Sequence, residues 1–132
     1  MFCREQVAQL CDHLSEIRAK GAELVVVGNG QPFQARAFRD ERKLDFPLLV
    51  DPGLKAYKAA GLKRGALLTL NPMTALRGVR AMKDGFRQGL MEGDPWQQGG
   101  AFVIGKDGGV RFAFVSSGAG VHAEPADLLA AL

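Results

Sequence analysis

The chain predicts an α/β domain, on three observations. A helical stripe leads into a near-continuous apolar run rich in β-branched residues, a second helix leads into a second short apolar run, and the chain closes on a hairpin and a helix. The stripe is Val7, Leu10, Leu14 and Ile17, spaced three, four and three along a helix from Glu5 to about Arg18 that Lys20-Gly21 ends. Glu23 to Gly28 then reads as a buried parallel strand. Pro32 opens a second helix, since its missing N–H needs no partner at a first helical position; Phe33, Ala37 and Phe38 face inward, and the helix ends near Arg42 or Lys43. Phe46 to Val50 is a short strand with Pro47 at its start, where proline is tolerated. Asp51 as N-cap and Pro52 at N1 predict a further helix with Leu54 and Tyr57 inward and Gly61 closing it.

Residues 65–70 read as a strand, and Asn71-Pro72 caps a helix carrying Leu76, Val79 and Met82. The glycine-rich stretch from Gly85 to Gly100 has no clean period and reads as an ordered loop anchored by Phe86, Leu90, Met91 and Trp96. Ala101–Ile104 and Val110–Val115 form a hairpin about Asp107-Gly108, with Val110, Phe112 and Phe114 on one face; Pro125 starts a last helix whose Leu128, Leu129 and Leu132 cover the sheet. Parallel βα units followed by an antiparallel pair and a closing helix are the order of a thioredoxin-like fold lacking its first strand. A length of 132 residues suits one core, so residues 1–132 form a single domain, incomplete at its N-terminus.

Hydrophobic residues at 47% and charged residues at 23% exclude wholesale disorder and collagen-like structure. No apolar run reaches the roughly 20 residues of a membrane helix, and the start MFCREQVAQL lacks a secretory apolar region, so a cytoplasmic location is expected. The net charge of +3 is scattered: Arg36, Arg39, Arg42 and Lys43 interleave with Asp40, Glu41 and Asp45, as on a solvated face rather than a nucleic-acid stripe. Two cysteines are too few for a disulfide scaffold. On one helix Cys3 and Cys11 stand about 12 Å apart along the axis, beyond the roughly 7 Å a disulfide spans between Cα atoms.

Cys3 precedes an amphipathic helix, where free N–H groups and the helix dipole favour thiolate, and Arg4 supports that effect; the plainer alternative is a small apolar residue at a frayed end. Cys11, beside Leu10, reads as packing. His13 and His122 have no clustered ligand spacing around them, so no metal site is expected, and His122 reads as a surface residue. Gly28-Asn29-Gly30 supplies only two glycines of a dinucleotide-binding loop, and the Ser116-Ser117 stretch lacks a nucleophile elbow; no cofactor follows. Two readings stand for the stretch from Asp94 to Gly100. Trp96 is a lid over the sheet, or the loop faces Cys3 and the backbone of Gly99 and Gly100 binds an extended substrate or holds a peroxide.

In the ordered set Phe2-Cys3-Arg4-Glu5, Leu24 to Gly30, Phe46 to Tyr57, Gly93 to Gly100, and Phe102 to Gly108 followed by Arg111-Phe112, the chain resembles the peroxiredoxin-like branch of the alkyl hydroperoxide reductase and thiol-specific antioxidant (AhpC/TSA) superfamily, the branch similar to selenoprotein L. The resemblance spans essentially the whole chain. It implies a C-x-x-C pair at the end of the first core strand, with Cys3 in the second, resolving position and the first cysteine three residues upstream, before Met1. The expectation is therefore an N-terminally truncated chain, either from a start codon placed too late or as a shortened, inactive relative. For the full-length product the resemblance implies a thiol oxidoreductase, catalysing thiol-dependent peroxide reduction or thiol–disulfide exchange. Its partners would be a small thiol or thioredoxin-like reductant and a peroxide or disulfide substrate, with no nucleic acid and no membrane. The 132-residue form itself would be inactive as a peroxidase. The alternative is a non-catalytic binding or regulatory module that uses the Trp96 loop.

Overall fold

The computed structural model describes residues 2–65, 94, 96–118 and 120–132; the side chains of Phe2 and Cys3 fall outside that description. The strand expected over 65–70, the helix expected after Asn71-Pro72 and the anchors Phe86, Leu90 and Met91 lie outside the described residues.

The first helical stripe forms, with Val7, Leu10 and Ile17 buried, but as two helices, α1 (Phe2–Asp12) and α2 (Leu14–Ala19), where one is predicted. His13 takes φ −103 and ψ 6, and its N–H reaches only three residues back, to the Leu10 carbonyl at 3.1 Å, so the α ladder breaks while the apolar face continues. Gly21, at φ +75, closes α2 by letting the Ala22 N–H turn back to the Ile17 carbonyl at 3.2 Å.

Strand β1 covers only Val26–Gly28, shorter than the predicted run from Glu23, and pairs in parallel with β2 (Leu48–Val50). The partner sets the limit: Pro47 accepts the Val26 N–H at 3.0 Å but has no N–H to donate, so the ladder cannot extend upstream of it. Between them α3 (Pro32–Arg42) starts at Pro32, as predicted. A reciprocal cap joins Gln31 and Gln34, with the Gln31 N–H donating to Gln34 Oε1 at 2.7 Å.

Helix α4 (Lys55–Ala59) corrects the predicted start at Pro52. Residues 51–54 first close a turn through the Leu54 N–H and the Asp51 carbonyl at 3.0 Å, which leaves Leu54 left-handed at φ 56. Asp51 nevertheless serves the helix start from a turn upstream, its Oδ2 accepting the Ala56 N–H at 2.7 Å. Gly61, at φ +67, closes α4 in the predicted place.

The hairpin forms as β3 (Gly100–Ile104) and β4 (Val110–Val115), antiparallel around a left-handed Gly108. Phe112 and Phe114 pack into the core, but Val110 does not: a register shift after Val103 sets it opposite Ile104 at the exposed tip. The closing helix α5 (Pro125–Ala130) buries Leu128.

The two ladders are covered by α1, which reaches both. Leu10 packs with Val103, Ala123 and Leu128, and Val7 with Phe38 and Phe46, while Leu24 touches both groups. Among the described residues no helix is long and apolar enough to cross a membrane.

Candidate functional site

Cys3 lies in the first turn of α1, the position from which its backbone meets the unpaired N–H groups of an 11-residue helix. Helix α1 is held in place by the buried Val7 and Leu10, one and two turns further on. Arg4, the next residue, turns toward α3 and lies across it. Its Nη1 donates to Glu41 Oε2 at 3.3 Å, and its guanidinium sits 4.8 Å from the centre of the Phe38 ring.

Cys11 occupies a different setting, a cleft of about 180 Å³ between α1 and α3 lined by Arg4, Val7, Phe38, Arg42 and Leu44. Partial burial, followed by the negative charges of Asp12 and Asp45, pushes its thiol above the usual range, with Arg42 opposing. A thiol held protonated in this way fits the packing role predicted for it.

The Trp96 loop is built by a short strip that follows α4. The Gly65 N–H donates to the Trp96 carbonyl at 3.0 Å and the Gln98 N–H to the Lys63 carbonyl at 2.9 Å, with Arg64 opposite Gln97 as an isolated antiparallel bridge. Gln98 is buried, and Trp96 is half-buried. Asp94 anchors the loop's entrance. Its Oδ2 accepts from Arg64 Nε at 2.6 Å, its Oδ1 from the Trp96 N–H at 3.0 Å, and its carbonyl from Asn29 Nδ2 at 3.1 Å. The Arg64 bond, then the Trp96 N–H, hold its carboxyl below the ordinary carboxylate range against some desolvation.

Gly99 and Gly100 stand in this loop with different duties. The Gly99 carbonyl accepts the Ser116 N–H at 3.0 Å, so that oxygen extends the hairpin. Gly100 opens β3 in a space with no room for a side chain: a Cβ there would lie 2.6 Å from Leu62 Cδ2 and 2.6 Å from the Phe114 carbonyl oxygen. The loop thus meets the end of β1 through Asn29 and the start of β3 through Gly100.

Asn29, Arg64 and Gln98 are not among the site residues that the sequence singles out. Arg64 precedes Asp94 by 30 positions and Asn29 precedes it by 65, so no spacing rule connects them. Of the two histidines, His13 lies 3.6 Å from Glu16 one turn along α2, and His122 is half-buried after the hairpin. Among the described residues no three His, Cys, Asp or Glu side chains converge on a common metal position.

A protein-family model described as AhpC/TSA antioxidant enzyme matches residues 9–118. The chain is 29% identical over 113 residues to a protein of Arabidopsis thaliana called thioredoxin-like protein AAED1, chloroplastic. That similarity covers 80% of this chain and 46% of the plant protein, so the chain spans about half the length of the curated relative it matches. No solved structure matches it.

Proposed function

The chain belongs to the AhpC/TSA antioxidant enzyme family, and from that premise we propose that it is a thiol oxidoreductase whose exchanging thiol is Cys3. The observation that carries this reading is the place of Cys3 in the first turn of α1, within a thioredoxin-like α/β architecture. At such a helix start the backbone N–H groups and the dipole favour thiolate, the form that attacks sulfur. Cys11, with its raised pKa, is the poorer nucleophile of the two.

Where a peroxidatic cysteine stands three residues before Cys3, the reading is peroxiredoxin-like. A peroxidatic thiolate upstream attacks the terminal peroxide oxygen, releasing an alcohol or water and leaving a sulfenic acid; Cys3 then condenses with the sulfenic acid, releasing water and forming a disulfide. Two electrons from a small thiol or a thioredoxin-like reductant of the cytoplasm return both cysteines to thiols. For Cys3 alone the reading is thiol–disulfide exchange, in which its thiolate attacks a disulfide and a thiol leaves.

The test compares the 132-residue protein, its Cys3→Ser and Cys11→Ser variants, and a version extended upstream by a strand ending in Cys-x-x. Exchange with oxidised glutathione should depend on Cys3 and not on Cys11, and peroxide consumption should arise only in the extended version. Robust peroxide turnover by the 132 residues would make Cys3 the primary nucleophile and overturn its resolving role. Exchange that persists in Cys3→Ser would overturn the assignment of Cys3 in favour of Cys11, and no exchange at all would leave a non-catalytic binding module built on the Trp96 loop.

A further inference from the structure

We propose that the cleft between α1 and α3 is a binding site for a small carboxylic acid that carries an apolar group of about benzene size, with Arg4 and Arg42 taking its carboxylate. This site rests on none of the exchange chemistry read for Cys3.

The cleft has the two parts that such a ligand needs. Its wall is apolar: Val7 and Phe38 are buried, and Leu44 and Cys11 pack against them. Burial holds the Cys11 thiol in its neutral form, so the sulfur extends that wall without adding charge. The free space of about 180 Å³ is on the scale of a dry cavity of roughly 150 Å³ that takes up benzene. Among the described residues that line it two are cationic, Arg4 and Arg42, and one, Asp12, is acidic, so the balance favours an anion. The negative charge gathers at the Cys11 end, where Asp12 and Asp45 act on the thiol with Arg42 opposing them. Arg4 stands two turns earlier on α1, about 10 Å back along the axis. A bound carboxylate therefore lies toward Arg4, and the apolar group toward Cys11.

Glu41 shows where a carboxylate sits. It stands outside the lining with its side chain 56% exposed, yet its Oε2 lies 3.3 Å from Arg4 Nη1 and its Oε1 4.0 Å from Arg42 Nε. Both distances are long beside the about 2.7–2.9 Å of a well-made charge-assisted bond. A side chain rooted on α3 stops short of the two guanidinium groups, whereas an untethered carboxylate closes the gap. Displacing Glu41 costs little, since an exposed pair of this kind shifts an equilibrium by at most about fivefold. Arg4 is moreover held ready, only 19% exposed, with its guanidinium 4.8 Å from the centre of the Phe38 ring.

Phenylacetate is the probe, titrated into the nitrogen-15-labelled protein. Amide shifts of Ala8, Cys11 and Arg42 should saturate with a dissociation constant of about 0.1–1 mM, the order for a ligand of this size. Saturating phenylacetate should slow alkylation of Cys11 by iodoacetamide, read by peptide mass spectrometry, about threefold or more. Acetate, which lacks the ring, and phenylacetamide, which lacks the charge, should each bind about tenfold more weakly. Arg4→Gln and Arg42→Gln should each weaken phenylacetate about fivefold, and Ala8→Leu, which fills the cleft, should abolish binding, all with unchanged far-ultraviolet circular dichroism. Glu41→Gln should tighten binding about two- to fivefold, because the rival carboxylate is gone.

Phenylacetamide binding as tightly as phenylacetate would remove the arginines from recognition and overturn the proposal. Amide shifts that do not saturate by about 10 mM, or that survive Ala8→Leu, would overturn the site itself. Unchanged or weaker binding in Glu41→Gln would overturn the place assigned to the carboxylate, whatever the arginine variants do to stability.

Discussion

Adjacent glycines in the candidate loop should respond to the same substitution with opposite sign. At Gly100 a methyl group would sit 2.6 Å from Leu62 Cδ2, 3.3 Å from Phe102 Cε2 and 2.6 Å from the Phe114 carbonyl oxygen. The first two are side-chain ends and can swing away. The third is backbone of β4, where Phe114 pairs with Ala101, and it moves only if the ladder opens. Overpacking of this kind costs about 1–3 kcal/mol, while replacing glycine by alanine returns about 0.4–1 kcal/mol by restricting the unfolded chain. The steric cost wins, so Gly100→Ala should lose about 1–2 kcal/mol, lowering Tm by about 3–6 °C at this length. At Gly99 no described atom lies within 4 Å of the added methyl and φ is not positive, so only the favourable effect remains. Gly99→Ala should be neutral or more stable by up to about 1 kcal/mol. Equilibrium urea unfolding of both variants decides the matter, with equal slopes showing that the unfolded states are comparable. Two variants of equal stability would refute the close approach of β3 to Leu62 and Phe114.

Three further outcomes follow from other parts of the molecule. Cys11 should react with iodoacetamide more slowly in the folded protein than in urea at neutral pH, and Asp45→Asn should shift its rate profile to lower pH, because burial first and the Asp12 and Asp45 charges next raise its pKa. By the same sign, the stability that Cys11 contributes is complete below the unfolded thiol's pKa and is lost as pH rises through the higher folded value, which a pH series of urea melts would show. Phe38→Ala should cost about 3–5 kcal/mol, and a double-mutant cycle with Arg4→Ala should return a coupling of about 0.5–1 kcal/mol for the guanidinium over the ring, a value of zero meaning that the contact carries no energy. Lys43 ends α3 at φ 51, so Lys43→Gly should raise stability by about 0.5–1 kcal/mol in thermal unfolding, the relief of a left-handed side chain exceeding the entropy that glycine brings.

Much of this molecule is legible in order of residues alone, wherever the physics is local. Pro32 marks the start of α3 and Pro125 that of α5, because a fixed φ and a missing N–H act on the proline's own turn. The spacing of Val7, Leu10 and Ile17 picks out the buried face of the first helices, and Asp107-Gly108 announces the hairpin, because side chains three or four apart on a helix, or two apart at a turn, meet whatever the rest of the chain does. The α/β class and the family resemblance come from the same local patterns in sequence. Other features required the tertiary structure. The closing of the turn at 51–54 moves the α4 start to Lys55, the shift after Val103 sends Val110 to the exposed tip, and the ladder length of β1 is set by Pro47 some twenty positions away. The environment of Cys11 depends on Asp45, which reaches it only because the segment after α3 folds back against α1. The hydrogen bonds that meet at Asp94 need Asn29 and Arg64 to arrive from two earlier parts of the chain. A hydrogen bond or a charge acts over a few ångströms in space, so partners 30 or 65 positions apart become neighbours only when the strands and helices between them have packed.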